Sequence, residues 1–305
     1  MKKLTVLRKG SLASIQDFGR FQVRHLGVTQ GGAMDWIAMY WANFLLGNAL
    51  NAPVIEVMFG GLRLRAEDDV CLALCGADLN AQIDDVAITP WQSIFLKKGQ
   101  VLSFSQPKHG LRAYIAVPNG FIAPRLMGSA ATVTREQIGG LHNDGSALQD
   151  EDCLQWQGHN PTPKQLNNLD IPNYQSTEPF DVILGAQVEL FSGASLFAAF
   201  NQEWQVDTRA DRMGVRLQGP KLSCATSNMI SEGVPLGGIQ VPSDGQPIIL
   251  MNDRQTIGGY PRLGALTPIA LTRLAQLMPG AKLKLKVTTL EQAQRQQRRL
   301  LKQWQ

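Results

Sequence analysis

Much that marks a self-sufficient enzyme is missing from this sequence. No GxxxxGK[ST] stretch occurs, which excludes a phosphate cradle of that kind. There is no HExxH and no CxxC, so a metal site has no support. The four histidines, His25, His109, His142 and His159, are scattered through expected loops, and none prepares a serine or cysteine nucleophile. Four cysteines, Cys71, Cys75, Cys153 and Cys224, lie far apart or inside apolar runs. Cys71 and Cys75 are spaced to share one face of a strand, and buried reduced thiols are expected rather than zinc or a disulfide. No apolar run reaches membrane-span length, and the basic start Met1-Lys2-Lys3 lacks the apolar core of a signal peptide. A cytoplasmic protein without a membrane partner is the expectation. The formal net charge is +4, with much of the positive excess gathered between Arg295 and Lys302, too weak and local for nucleic acid. Chemistry here must rest on carboxylates, arginines, amides and backbone N–H groups.

What is present is an ordinary globular composition, 44% hydrophobic and 18% charged, in 305 residues, enough for two cores. Both halves read as mainly β. Strands are expected at Val70 to Leu74, Ser93 to Leu96, Val101 to Ser105 and Arg112 to Val117, with hairpin turns at Asp84-Asp85 and Lys97-Lys98-Gly99. Turns about every ten residues argue for a barrel or sandwich. Asp35 caps a helix to Leu46 that Gly47 stops. Residues 118–150 read as irregular. The segment Gly158 to Pro179 reads as a linker, rich in Pro and Asn with little that can pack. Domains at 1–160 and 180–290 follow, with a terminal helix over 289–305. In the second half, strands are expected at Val182 to Leu184, Trp204 to Val206, Gly237 to Val241, Pro247 to Met251 and Lys282 to Val287. One internal helix is expected there, capped by Thr267 with Pro268 in its first turn and running to Met278.

Three clusters can carry chemistry. Gln16-Asp17-Phe18-Gly19-Arg20, continuing to Gly31-Gly32-Ala33-Met34-Asp35, combines a Gly-rich backbone before a helix start with an arginine suited to an anion. Gln16, Asp17, Arg20 and Asp35 are therefore substrate-binding candidates; an Asp17–Arg20 structural pair is the alternative. The run Asp207 to Leu217 is dense in charge, and Arg209 or Arg212 reads as a functional arginine. The most informative stretch holds Glu232, Gly238, Gln240, Asp253, Thr256, Gly258, Gly259 and Tyr260 among glycines and prolines that fix unusual backbone angles. Gln240, Asp253 and Tyr260, with Arg209 and Arg212, are the catalytic candidates; Glu232, Gly238, Thr256, Gly258 and Gly259 are expected to bind substrate. A carboxylate can position an amide N–H while Gln and backbone N–H groups hold a carbonyl oxygen gaining charge. Such machinery suits an amide, a lactam or a carboxyl phosphate.

The order of motifs resembles the biotin-dependent carboxyltransferase-like family, in the branch formed by the C subunits of bacterial ATP-dependent 5-oxoprolinases. The carrying residues are Ser14 to Arg20, Gly31 to Asp35, Ala42-Asn43 with Gly47-Asn48, Glu56, Gly76-Ala77-Asp78, Asp211 to Leu217, Gly238 to Pro242, Asp244 to Pro247 and Thr256 to Pro261. The resemblance implies tandem cyclophilin-like β-barrel units with a few short helices. It also implies two partners, the B and A subunits of the 5-oxoprolinase. With them such a chain opens 5-oxoproline to glutamate while ATP, used by the complex, is hydrolysed. This sequence departs from the family in three places. Gly128-Ser129-Ala130-Ala131-Thr132 stands where relatives read GSRST, His142-Asn143-Asp144-Gly145 replaces another arginine-bearing stretch, and Pro118-Asn119-Gly120 replaces a Gly-Gly. Two alternatives stay open. One is a biotin-dependent carboxyltransferase acting on urea or another small amide, although no Ala-Met-Lys-Met carrier segment occurs. The other is a regulatory protein that binds a kinase inhibitor without catalysis.

Overall fold

Strict alternation in Leu62–Ala66 puts Leu62, Leu64 and Ala66 inside and Arg63 and Arg65 in water, as a strand covered on one face requires. Val70–Asp78 differs, because every residue but its last is buried. Its second face lies under helix α1 (Trp36–Leu45), which packs across it and across His109–Ala116. The computed structural model describes residues 1–226 and 229–304. The chain divides into two compact units: Met1–Val23 with Gln30–Gln175, and Arg24–Thr29 with the chain from Ser176 onward. The architecture is mainly β with short helices.

In the first unit two antiparallel sheets enclose the core. One runs Cys153–Trp156, Lys2–Lys9, Leu62–Ala66, Val101–Ser103, Gln82–Ile83, Val86–Ala87 in spatial order. The other runs Leu12–Gln16, Val54–Met58, His109–Ala116, Val70–Asp78, Gln92–Leu96. Leu4, Ile15, Ile55, Leu64, Leu72, Ile115 and Trp156 meet between them, each such burial contributing about 1.5–3 kcal/mol. Asp35 accepts a bond from Ala38 N, and Gly47 takes a left-handed φ of 73° beyond the last turn, so α1 begins and ends where its caps predict.

Two expectations in this unit need correction. Asp84 and Asp85 do make a hairpin, both with positive φ, but Lys97 to Gly99 does not. The strand before that turn belongs to the five-stranded sheet and the strand after it to the six-stranded one, so the turn carries the chain between layers. The expected linker is also partly a strap. Asn160 Oδ1 accepts from Cys71 N, Ser93 N donates to Lys164 O, and Leu166 N donates to Trp91 O. Leu166 is buried, and the first unit runs to Gln175 instead of residue 160. The backbone of a polar stretch found partners that its side chains did not advertise.

The second unit is an eight-stranded sheet in the order Lys282–Leu283, Trp204–Val206, Gly214–Gln218, Ile248–Leu250, Gly238–Gln240, Arg262–Leu266, Phe180–Leu184, Leu285–Thr288. Its two edge strands are separated in sequence by Lys284 alone. Opposite edges joined through one residue must lie close together, so the sheet curls nearly closed on itself. The expected single strand from Lys282 to Val287 is therefore two strands, one for each edge. Among the described residues three α-helices accompany the sheet: α2 (Gly193–Asn201), α3 (Pro268–Leu274) and α4 (Leu290–Leu301). Thr267 and Thr289 cap α3 and α4 as expected; the last residue of the expected terminal helix, 305, lies outside the described residues. Helix α2 was not expected, although Ser192 caps it by accepting from Ser195 N. Among the described residues no helix is long and apolar enough to cross a membrane.

One glycine tests the barrel's tightness. A Cβ on Gly264 would stand 2.2 Å from Ile183 O on the neighbouring strand. That obstacle is backbone and cannot rotate away. Gly264→Ala is expected to cost about 3 kcal/mol, the upper end for overpacking, read as a lowered urea midpoint with unchanged slope.

Candidate active site

The first cluster is a buried scaffold. Gln16, Asp17, Arg20 and Asp35 are all at most 3% exposed. Asp17 accepts from Gly19 N at 2.8 Å, from Ser129 Oγ at 2.6 Å and from Ala130 N at 2.8 Å. Arg20 Nη2 donates to Ala131 O at 2.7 Å, and Gln16 Nε2 donates to Thr132 O at 3.1 Å. These side chains hold the altered 128–132 stretch through backbone groups of Ala130, Ala131 and Thr132. The loop is held through its backbone, and the Ala130 and Ala131 side chains are themselves fully buried. Asp35 caps α1 and accepts the Tyr174 hydroxyl at 2.7 Å. Its N–H donates to Tyr114 Oη, whose hydroxyl donates to Glu56 Oε2 at 2.7 Å. The structure places these four expected substrate-binding residues in the first unit's interior, with Asp17 also lining a cavity of about 280 Å³ beside Gly19, Arg125 and Gly128.

The second cluster is also satisfied internally. Arg209 lies mostly in solvent and reaches back to Asp207, 2.7 Å away, and Asp207 is held well below the usual carboxylate range by that guanidinium first. Arg212 makes a two-pronged contact with Asp253, Nε to Oδ2 at 2.8 Å and Nη2 to Oδ1 at 3.0 Å, with both side chains largely buried. Two expected catalytic groups therefore neutralise each other.

The third cluster surrounds a short ribbon, Glu232–Gly233 paired antiparallel with Ile257–Gly258. Guanidinium groups fix its backbone. Arg24 Nη2 donates to Val234 O at 2.7 Å and to Thr256 O at 2.8 Å, and Arg262 Nη1 donates to Gly233 O at 2.8 Å. Arg254 Nε adds a longer bond to Val234 O. Gln240 is buried behind this ribbon, and its Nε2 has no hydrogen-bond partner among the described residues. A Cβ on Gly258 would sit 2.6 Å from that nitrogen, so the ribbon packs directly onto the Gln240 amide. Gly238 N closes a turn onto Pro235 O, and Gly259 O accepts Met229 N.

Beside the ribbon lies a cavity of about 370 Å³ whose lining includes Ile183, Leu184, Gly185, Pro235, Gly264 and Ala265. Of the expected residues only Glu232 lines it. Gln240, Asp253 and Tyr260 do not meet there: the first backs the ribbon, the second faces Arg212, and the third is 42% exposed. The residues that do meet are Glu232, Arg262 and Gln187. Arg262 Nη2 and Gln187 Nε2 both donate to Glu232 Oε1, while Gln187 Oε1 accepts Arg262 N at 2.8 Å. Sequence reasoning missed Arg262 and Gln187. Arg262 left one signal, a lone charge opening an otherwise apolar strand directly after Thr256 to Pro261; Gln187 left none.

A model of the carboxyltransferase domain, subdomains A and B, matches residues 26–287. The chain belongs to that family. It is similar to the 5-oxoprolinase C subunit of Haemophilus influenzae, 34% identical across 97% of this chain and 94% of the relative. The protein of the same name from Escherichia coli is 36% identical across 95% and 93%. A putative urea carboxylase of Emericella nidulans is 29% identical across 94% of this chain, and there the match takes up 24% of the relative. Among solved structures, the urea amidolyase of K. lactis superposes with a TM-score of 0.91 at 25% identity over 99% of this chain. This chain spans only 20% of that one, so what the larger protein does as a whole belongs to much that is not shared.

Proposed function

We propose that this chain is the C subunit of an ATP-dependent 5-oxoprolinase, which with its B and A subunits opens 5-oxoproline to glutamate. One observation carries this reading: end-to-end similarity to two proteins of that name. The cavity supports it. It is small, near the lower end of ligand sites at about 300–1,000 Å³, apolar-walled, and equipped with an arginine and an amide at one end. In the reaction as we read it, the lactam oxygen takes the terminal phosphoryl group of ATP, releasing ADP. Water then attacks the activated carbon, the C–N bond breaks with its nitrogen taking a proton to become the free amine, and the acyl phosphate left behind is hydrolysed by a second water to carboxylate and phosphate. ATP is bound by the assembled complex. At this chain's cavity the cation is matched by Glu232, so no surplus positive charge awaits a triphosphate.

The fold shared with K. lactis urea amidolyase favours one other reading, carboxyl transfer from biotin to a small amide. The groups at the cavity suit a carboxylate and an amide, and nothing among them selects biotin's ring system. Mixing the purified chain with the B and A subunits, ATP and 5-oxoproline decides between them. Glutamate and ADP are expected in equal amounts, and neither above background when this chain is omitted. A lack of glutamate with all three chains folded, or transfer from carboxybiotin to urea, would overturn the proposal.

A further inference from the structure

The ion pair beside the cavity is asymmetric. Arg262 is 18% exposed and Glu232 49%. The arginine is anchored by its own strand, by Gly233 O and through its N–H by Gln187. Glu232 stands at the exposed start of a two-residue strand. Two donors from separate elements, Arg262 Nη2 and Gln187 Nε2, converge on a single point, and that point is filled by one carboxylate oxygen of the chain itself. A guanidinium and an amide N–H set on one point suit an anionic oxygen such as a carboxylate's. Around it the lining is largely apolar, and Gly185 and Gly264 contribute only backbone to it.

We infer that Arg262 and Gln187 form a carboxylate-binding subsite and that Glu232 occupies it as a built-in competitor. A small cyclic acid displaces the Glu232 carboxylate, places its own carboxylate on Arg262 and Gln187, and lays its ring against Ile183 and Pro235. Glu232, already half in water, loses little when it swings out, whereas the donors stay where their backbone bonds hold them. The subsite therefore selects a ring bearing a carboxylate over the same ring without one. This inference rests on the reading of the chain as part of a 5-oxoprolinase, which supplies the class of ligand.

The test uses the full chain alone, without ATP or partners, so it is separable from turnover by the complex. Binding of 5-oxoproline and of 2-pyrrolidone, the same lactam lacking the carboxylate, is followed by calorimetry. Removing the competitor's charge with Glu232→Gln is expected to tighten 5-oxoproline about tenfold and to leave 2-pyrrolidone unchanged, one charge-assisted hydrogen bond's worth of discrimination. Arg262→Lys, which keeps the charge but loses the second N–H anchored on Gly233 O that aims the first at the subsite, is expected to weaken 5-oxoproline by a similar factor. Equal affinity for the two lactams, or a Glu232→Gln chain that binds 5-oxoproline no better than the parent, would overturn the subsite. Such a result beside normal turnover by the complex would remove this inference and leave the proposed function standing. Carboxylate-selective binding beside a complex that makes no glutamate would do the reverse.

Discussion

Replacing Glu56 with alanine is expected to cost the first unit about 3–5 kcal/mol, the usual penalty for breaking a buried ion pair from one side. Glu56 sits on Val54–Met58 within the five-stranded sheet and is 3% exposed. Its Oε2 accepts Met34 N at 2.8 Å and the Tyr114 hydroxyl at 2.7 Å, and its Oε1 lies 3.7 Å from Arg112 Nε. Alanine would leave the Met34 N–H and the Tyr114 hydroxyl without that acceptor and the Arg112 guanidinium without that counter-charge. A domain holds only about 5–15 kcal/mol in total, so the loss is a large fraction. Glu56→Gln keeps the shape and one acceptor oxygen and should lose less. Urea unfolding of the three proteins side by side measures both. A Glu56→Ala chain within about 1 kcal/mol of the parent would mean that the network is ornamental.

The same interior predicts a sharp alkaline limit. Three acids around Asp35 are pushed well above their ordinary values: Cys75, Tyr114 and Tyr174. Burial is the first cause in each case. Asp35 comes next for Cys75 and Tyr174, and Glu56 followed by Asp35 for Tyr114. In the unfolded chain the thiol ionises near pH ~8.5 and the phenols near ~10. Below those values both states keep their protons, and the stability is fully present. Above them the unfolded chain releases protons that the folded chain retains, so stability falls as pH rises. Each group contributes about 1.4 kcal/mol per pH unit, and all three together roughly 4 kcal/mol per unit above pH ~10. The first unit should lose stability gently from about pH 8.5 and steeply beyond about 10. Tyr114→Phe lowers the starting stability by removing a hydrogen bond to Glu56, but it should flatten the alkaline slope by about one proton. An unchanged slope in that variant would contradict the assignment.

Local signals in the sequence were legible where one residue decides a local geometry. The caps Asp35, Thr267 and Thr289 and the stop at Gly47 read correctly because each satisfies neighbouring backbone groups. The mainly β class read correctly from strand spacing. What did not read was anything settled by non-local partners. Lys97 to Gly99 looks like a hairpin because hairpins use such residues, yet sheet membership is decided by distant strands. Arg212 and Asp253 looked catalytic because charged residues in a loop suggest function; their mutual contact spans 41 positions and leaves no local trace. Gln16, Asp17 and Arg20 look like an anion site because glycines and an arginine can make one, while in the fold they bond to the backbone of residues 130–132. Glu232 alone carried over from the expected site to the cavity, and its partners Arg262 and Gln187 emerged only from the fold.

If the second unit's cavity grips the small cyclic amide of a 5-oxoprolinase, Arg262 must hold that substrate. Steady-state kinetics of the reconstituted complex of all three chains, carrying Arg262→Gln, test this most directly. The KM for 5-oxoproline is expected to rise about tenfold or more, as loss of a charge-assisted contact implies, with the KM for ATP unchanged and the complex still assembled. An unaltered KM for 5-oxoproline in an intact, active complex would place the substrate elsewhere and contradict the cavity's role.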